Sequence, residues 1–441
     1  MRTYKVSPSS ICGNVLIPPS KSHSLRAILL ASVAQGTSEI HNYLVSPDTD
    51  AVIQACRQLG AKIKRTPKTL YISGTSSPSF PDHTVINAGN SGIALRFLTA
   101  LACMFSKNIT LTGSPYLQRR PMAPLIQALE NFGASFTFST HAPLPFSLNG
   151  PLCSGYTDVD GSDSQFASAL ALACSLAEGP FSFTILNPKE RPWFALTLWW
   201  LEQLSLPYTC SEHTYSFPGN SRPLGFSHTV SGDYSSASFI AAAAILSKSS
   251  RPTHLYNLNP RDIQGDKELL FLLKKLGASI EFDAEKLTIF PSSLSGGSID
   301  MDLFIDALPI LAVLCCSADS PSHLYNARSA RSKESDRIET ITEELQKMGA
   351  CIQPTHDGLI INPGPLHGAK LNSHNDHRIA MALTIAAMNA SGESLICDTD
   401  CVRKSFPKFS QILQSLGGKI CEDISLWPSY KWEIATGQSL C

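Results

Sequence analysis

The sequence predicts an α/β protein of two similar lobes, each made of three βαβαββ units around buried helices, like a barrel turned inside out. Two phrases repeating in step predict this. The first is a helix end followed by Leu-Gly-Ala or a variant. It occurs at Leu59-Gly60-Ala61, Phe132-Gly133-Ala134, Leu276-Gly277-Ala278, Met348-Gly349-Ala350 and Leu416-Gly417-Gly418, with a degenerate copy at Leu204-Ser205-Leu206. The second is a polar or glycine-containing start followed by an Ala/Leu-rich helix. Its copies begin near Lys21-Ser22, Asn90-Ser91-Gly92, Ser164-Gln165, Ser235-Ser236, Asp306 and Asn375-Asp376. Successive starts lie roughly 70 residues apart, so six units fill the 441 residues.

Each element follows from local chemistry. Glycine after a helix end suits a left-handed C-cap. The residues after it alternate as a half-buried strand does, as in Ala278-Ser279-Ile280-Glu281-Phe282. A second strand follows at Leu70-Tyr71-Ile72, Leu287-Thr288-Ile289 and Leu359-Ile360-Ile361. Segments such as SLRAILLASVA, FASALALACSLA and ASFIAAAAILS are apolar nearly all round, which predicts helices buried on every side. The order strand, buried helix, strand, second helix, strand, strand makes a unit, and three units make a lobe of about 200 residues. The strand-like opening, Tyr4 to Leu16, is expected to close the ring of the second lobe. The expected boundaries are 21–230 for a continuous lobe and 1–20 plus 231–441 for a discontinuous one, hinged near Pro18-Pro19 and Ser231-Gly232.

Bulk properties exclude several function classes. The chain has 35 Lys+Arg against 36 Asp+Glu, a formal net charge of -1. It has no basic excess to attract nucleic acid or an anionic membrane. Runs such as Phe239 to Leu246 and Ala307 to Cys316 fall far short of the ~20 apolar residues a bilayer span needs. The opening MRTYKVSPSS has neither an apolar signal core nor an Arg/Ser-rich transit composition, so a cytoplasmic location is expected. The 13 cysteines are odd in number and scattered. Cys397 and Cys401 have no second pair or histidine couple to complete a zinc set, and the cysteines read as reduced, mostly buried thiols.

Chemistry is expected at the helix starts. A helix leaves its first N–H groups unpaired, and its macrodipole places partial positive charge there, so the start is a ready anion site. Ser, Asn and Asp in such places are ordinary caps when taken singly. The basic residues beside them are not. The first start carries Lys21, Ser22, Ser24 and Arg26 in PSKSHSLRA, and the second Asn90, Gly92 and Arg96 in AGNSGIALR. The third carries Ser164 and Gln165, and the sixth Asn375, Asp376, His377 and Arg378 in NDHR. Arg26, Arg96 and Arg378 each enter an otherwise apolar helix, where a cation is costly without an anionic partner. Gly92 would let a ligand approach the backbone. Further basic clusters are Gln118-Arg119-Arg120-Pro121, the run Arg331-Ser332-Lys333-Glu334-Ser335-Asp336-Arg337, and Lys404 in CVRKSFP. A lone charge run is usually a solvated face. Three repeats of a buried cation at one structural position point instead to small phosphorylated anions.

Taken in order, PSKSHSLRA, AGNSGIALR, LQRRP, DSQF, the Asp306 helix, SKESDRI, NDHRIAM and VRKSFP resemble the motifs of the EPSP synthase family over nearly the full length. The family fold that this implies, two lobes of three βαβαββ units, agrees with the repeat. The resemblance also implies transfer of the enolpyruvyl group of phosphoenolpyruvate to the 5-hydroxyl of shikimate 3-phosphate. That reaction passes through a tetrahedral intermediate, releases phosphate and belongs to the shikimate pathway of chorismate and aromatic amino acid biosynthesis. No metal or organic cofactor is implied. A monomer with small-molecule substrates, and with no nucleic-acid or membrane partner, is expected.

By motif, Lys21, Ser22, Arg26, Ser164, Gln165, Asp306 and Lys333 would contact shikimate 3-phosphate. Lys21, Gly92, Arg120, Gln165, Arg337, Arg378 and Lys404 would contact phosphoenolpyruvate. Asp306 would take the hydroxyl proton, and Glu334, between Lys333 and Arg337, would exchange protons with the enol methylene; Lys21 is the third catalytic candidate. The residue types suit two mutually repelling anions, since arginine grips carboxylate and phosphate bidentately and lysine supplies point charge. Closure of the lobes would exclude water.

The family pattern is broken in places. Asp163-Ser164-Gln165 stands where many members have Ser-Ser-Gln, and Glu190-Arg191-Pro192-Trp193 where they have Ser-x-Pro-Tyr. Ser329 replaces a common Asn, Ile93 a common Thr and Phe97 a common Pro. Two other activities use related repeats. The enolpyruvyl transferase acting on UDP-N-acetylglucosamine typically carries a reactive cysteine in a loop of the second unit, but Gly113 to Met122 has none. An RNA 3'-phosphate cyclase-like ligase would need nucleotide binding and a nucleophilic histidine. The intact NDHR and KESDR runs and the missing basic excess oppose it. A non-catalytic anion binder would need neither Asp306 nor Glu334. Ile93 is bulkier than Thr beside Gly92 and is expected to tighten the pocket against glyphosate, which is longer than phosphoenolpyruvate. Ile93→Thr should therefore lower the glyphosate inhibition constant; an unchanged constant would refute the effect.

Overall fold

The computed structural model describes residues 2–75, 78–138, 143–283 and 285–423. The stretch 424–441, expected to belong to the discontinuous lobe, lies outside the described residues. The second unit shows how each unit is built. Strand Val85–Asn87 leads into buried helix Gly92–Ala102, and strand Ile109–Thr112 runs parallel to the first strand. Helix Ala123–Asn131 follows, and the hairpin Ser135–Phe138 with Phe146–Asn149 completes a four-stranded sheet. The last strand of the unit lies between the second and third, antiparallel to Ile109–Thr112.

Six such four-stranded sheets form, and the repeat is thus realised as two lobes of three units. Three sheets are completed by strands from far along the chain. Ser227–Thr229 pairs in parallel with Thr37–His41, and Gly13–Leu16 with Thr253–Tyr256. Thr3–Ser7 lies between Ser394–Cys397 and Lys419–Asp423. Two hydrophobic cores result. One gathers apolar side chains from Leu25 to Val230, and the other joins Tyr4, Val6, Ile11, Val15 and Ile17 to side chains from Tyr234 to Ile420. The chain crosses between the cores twice, and the crossings lie side by side. Ser20 N donates to Ser231 O at 2.8 Å, and Asp233 N to Pro18 O at 2.8 Å.

Helices Lys21–Ser32, Gly92–Ala102 and Ser164–Leu176 run through the first core. Tyr234–Ile245, Leu308–Cys316 and His377–Asn389 run through the second. Every residue of Tyr234–Ile245 and of Leu308–Cys316 is buried, as their all-round apolar sequences require. Each fully buried Leu, Ile or Val there contributes about 1.5–3 kcal/mol.

Five of the six helices are capped by a side chain that accepts from a first-turn N–H: Ser20, Ser91, Asp163, Asp233 and Asp376. The fourth start therefore differs from expectation. Asp233 is its cap, while Ser235 donates to buried Asp266. The fifth helix has no side-chain cap; a 3-10 turn, Ile305–Ala307, precedes it and carries Asp306. Among the described residues the cysteines are free, with Cys56, Cys103, Cys174, Cys315 and Cys316 buried. No helix of the described residues is long and apolar enough to cross a membrane.

The repeated glycines behave as their position demands. Gly60, Gly133, Gly277, Gly349 and Gly417 all have positive φ, from 88° to 110°. At the degenerate copy exposed Ser205 takes φ 55°, where an L side chain costs about 1–2 kcal/mol. Glycine's extra chain entropy offsets part of that, so Ser205→Gly should stabilise the protein by about 0.5 kcal/mol. The converse change, Gly277→Ala, should cost about 1 kcal/mol. Denaturant midpoints of both variants measure this, and equal signs would contradict it.

Candidate active site

The helix starts converge on a cleft between the two cores. From the first core come Lys21, Ser22 and Arg26, then Gly92, Arg120, Ser164 and Gln165. From the second come Asp306, Lys333, Glu334, Arg337, Arg378 and Lys404. Every site residue expected from the motifs thus lines one cavity. The fourth helix start lies outside it, but its cap Asp233 accepts from Lys21 N at 3.3 Å.

The cations face the cleft but are mostly engaged by the chain's own carboxylates. Arg337 is the most connected. Its Nε donates to Asp376 Oδ2 at 2.8 Å, Nη1 to Asp306 Oδ1 at 2.7 Å and Nη2 to Glu334 Oε2 at 2.9 Å. Arg378 Nη2 donates to the other oxygen of Asp306 at 2.9 Å. Glu334 also accepts from Lys404 Nζ at 2.6 Å and lies 3.3 Å from Arg120 Nη1. Lys21 Nζ is 3.4 Å from Asp48.

These contacts set the charge states. Burial would raise the carboxyl of Asp306, but Arg378, Arg337 and Lys333 hold it well below the usual carboxylate range. Burial is likewise overridden at Glu334, by Lys404, Arg120 and Arg337. Burial lowers Lys21, with Asp48 opposing it. Arg26 is pushed down to about 9 by burial, and its contacts are neutral. Its Nε donates to Thr197 Oγ1 at 2.9 Å, Nη1 to Ser22 O at 3.1 Å and Nη2 to Trp193 O at 3.2 Å. The ring of Phe97, one of the departures from the family pattern, lies 5.1 Å from its guanidinium carbon.

Two sequence expectations change in detail. Arg96 does not line the cleft. It is wholly buried, donates to Gln165 Oε1 at 2.7 Å and lies 3.2 Å from Asp163, so it orients Gln165 from behind. Gly92 is needed for more than backbone access. A Cβ there would lie 3.1 Å from Arg96 Nη1 and 3.2 Å from Arg120.

Sequence reasoning gave no role to several residues that line the cleft, among them Asp48, Glu190, Trp193 and His377. The signal for His377 was its place in NDHR. Neither ring nitrogen has a hydrogen-bond partner among the described residues. Burial holds His377 well below the usual histidine range against the opposing charge of Glu334, with Lys21, Lys404 and Arg378 adding to the burial, which favours the neutral ring. Glu190 begins helix Arg191–Gln203 in a left-handed conformation, φ 51°. It accepts from Lys333 Nζ at 2.5 Å, Ser329 Oγ at 3.0 Å and Ser164 Oγ at 3.3 Å.

A family model described as EPSP synthase (3-phosphoshikimate 1-carboxyvinyltransferase) matches residues 6–413. The chain belongs to the EPSP synthase family. It is 67% identical to the 3-phosphoshikimate 1-carboxyvinyltransferase of Chlamydia pneumoniae, covering 100% of both chains. With the protein of that name from Chlamydia abortus it shares 68% identity over 97% of each chain. Among solved structures, EPSP synthase from Acinetobacter baumannii superposes with a TM-score of 0.79 at 26% identity, covering 96% of this chain and 100% of that one. The enolpyruvyl transferase NikO from Streptomyces tendae shares the fold, with a TM-score of 0.78 at 16% identity over 96% of this chain and 99% of that one. The two lobes and the cleft between them are therefore an EPSP synthase architecture.

The Arg337 network makes a stability prediction. Removing the guanidinium leaves Asp306, Glu334 and Asp376 short of a shared cation, so Arg337→Met should cost about 3–5 kcal/mol at pH 7.5. Asp306 and Glu334 are depressed in the fold, so their contribution is fully present above their unfolded values near about pH 4 and is lost progressively below that, as the pH falls toward the folded values. The deficit of the variant should accordingly stay level between about pH 7 and 5 and shrink as the pH is lowered below about 4. Denaturant unfolding from about pH 7 down to about pH 3 tests it, and a deficit unchanged below about pH 4 would contradict the assignment.

Proposed function

We propose that this chain transfers the enolpyruvyl group of phosphoenolpyruvate to the 5-hydroxyl of shikimate 3-phosphate, with release of phosphate, in the shikimate pathway. The observation that carries this reading is the pair Asp306 and Glu334, each held between cations where helix starts from two cores face one cleft. Two carboxylates in proton-transfer positions exceed what anion binding alone requires. The near-complete match to 3-phosphoshikimate 1-carboxyvinyltransferases supplies the substrates.

In this reading Lys21, Ser22, Arg26, Ser164, Gln165, Asp306 and Lys333 hold shikimate 3-phosphate. Lys21, Gly92, Arg120, Gln165, Arg337, Arg378 and Lys404 hold phosphoenolpyruvate. Arg26 is the best placed of the cations, because its contacts in the free chain are neutral. Asp306 takes the proton of the 5-hydroxyl as that oxygen bonds to C2 of phosphoenolpyruvate. Glu334, once it has taken up a proton from solvent, delivers it to C3, which gives the tetrahedral intermediate. It then receives a proton from the new methyl group as the C2–O bond to phosphate breaks.

The free chain explains how weak bases become competent. Arg337 and Arg378 hold Asp306 in its ionised form. When substrate anions draw on the same guanidiniums, part of that charge is withdrawn and the carboxylate becomes more basic. Arg120 and Lys404 act in the same way on Glu334. Neutral His377 offers one donor and one acceptor nearby.

The same reading makes the protein a cytoplasmic monomer without nucleic-acid or membrane partners. It divides the chain near residues 20 and 231 into two lobes that close on the substrates, a division supported by the separate cores and the paired crossings. A phosphate-release assay tests the reaction. Release should need phosphoenolpyruvate and shikimate 3-phosphate together. Asp306→Ala and Glu334→Ala should each lower kcat by about 10²–10⁴-fold. Release with UDP-N-acetylglucosamine in place of shikimate 3-phosphate would overturn the proposal.

A further inference from the structure

Glu190 stands apart from the other carboxylates of the cleft. Asp48 faces Lys21, and Asp306 and Glu334 move protons in the reading above. Glu190 has no such task, yet it is only 2% exposed and collects three donors. They are the Lys333 ammonium at 2.5 Å, the Ser329 hydroxyl at 3.0 Å and the Ser164 hydroxyl at 3.3 Å. Ser164 opens a helix of the first core, while Ser329 and Lys333 belong to the turn Arg328–Ser332 and its end on the second. One ammonium and two hydroxyls converging on a buried pair of oxygens make a donor set for a phosphate, and here the chain's own anion fills it.

We propose that Glu190 is the built-in occupant of the subsite for the phosphate of shikimate 3-phosphate, and that it takes up a proton when that phosphate takes over Lys333. This rests on the functional reading above. Two anions sharing one ammonium in a buried site cannot both stay ionised without a large cost. The proton comes from solvent and goes to a carboxyl oxygen of Glu190, which turns from acceptor to donor toward the phosphate. The charged groups around Glu190 favour this. Asp163 faces it from the third helix start, and Asp302 and Asp306 from the second core. Lys333 and, behind Asp163, Arg96 oppose them; neighbouring Lys189 is drawn to Asn326 and Arg191 begins the following helix. Burial, with Asp163 and Asp306 adding to it against Lys333, already raises the carboxyl in the free chain.

A complex that holds one more proton than its separated partners weakens as the pH rises, by up to about tenfold per pH unit. Calorimetric titration of the full chain with shikimate 3-phosphate, in buffers of different ionisation heat at pH 8, reads this directly. At that pH the free phosphate is a dianion, its second pKa being about 6. Wild type should take up protons on binding, and its dissociation constant should climb from pH 7 to 9. Glu190→Gln should take up none, bind more tightly than wild type at pH 8 and show a flat profile. Glu190→Ser carries the same expectation should the glutamine variant fail to fold. Binding without proton uptake in wild type, or equal uptake in wild type and variant, would overturn the inference and leave the functional reading standing. Failure of wild type to bind shikimate 3-phosphate would overturn both.

Discussion

The guanidinium of Arg337 is the point on which the cleft depends. It is 1% exposed, and its nitrogens reach Asp376, Asp306 and Glu334. Asp376 caps the last buried helix, Asp306 sits at the start of the one before it, and Glu334 reaches over to Arg120 of the other core. One buried charge therefore fixes a helix start and the carboxylates Asp306 and Glu334 together. Its desolvation is offset by three carboxylates, and theirs by it and by the cations around them. Most cations of the cleft are thereby engaged by the chain's own carboxylates, Arg26 being the exception.

The repeat explains why the partners are where they are. Glu334 and Lys404 are 70 residues apart, Asp306 and Arg378 are 72 apart, and Arg96 and Gln165 are 69 apart. Each pair is separated by about one unit of the repeat. Equivalent helix starts of adjacent units lie side by side, so a side chain at one start meets its counterpart at the next. The apolar helices bring the starts together, and their exposed N–H groups make that end of each lobe electropositive before any lysine or arginine is counted.

That regularity is what made the fold legible. The glycine phrase and the all-apolar helices recur with one period, and both are local consequences of backbone and burial. The site residues were legible too, because their motifs sit at helix starts. Less visible was how they pair. Arg96 looked like its counterparts Arg26 and Arg378, but Asp163 in the next unit draws it behind Gln165. Asp233 caps the fourth helix although Ser235 and Ser236 have the commoner look of a start, since only the backbone path decides which residue is extended. Glu190 and Lys333 are 143 residues apart and on different cores, so they are not the adjacent-unit neighbours that the repeat brings together.

The departures from the family pattern are not independent. Asp163 meets Arg96, Glu190 meets Lys333, and Ser329 donates to Glu190. Ser164, beside Asp163, also donates to Glu190. A buried carboxylate at position 190 without these neighbours would be a cost of several kcal/mol. With them it becomes a strut between the cores, adding its charge to those of Asp163 and Asp306 around Lys333. Ser329 replaces the asparagine common at its position and donates its hydroxyl to that glutamate at 3.0 Å. The three changes thus read as one change in how the cleft holds itself together before substrate arrives. The negative charge beside Lys333 is thus supplied by the protein itself.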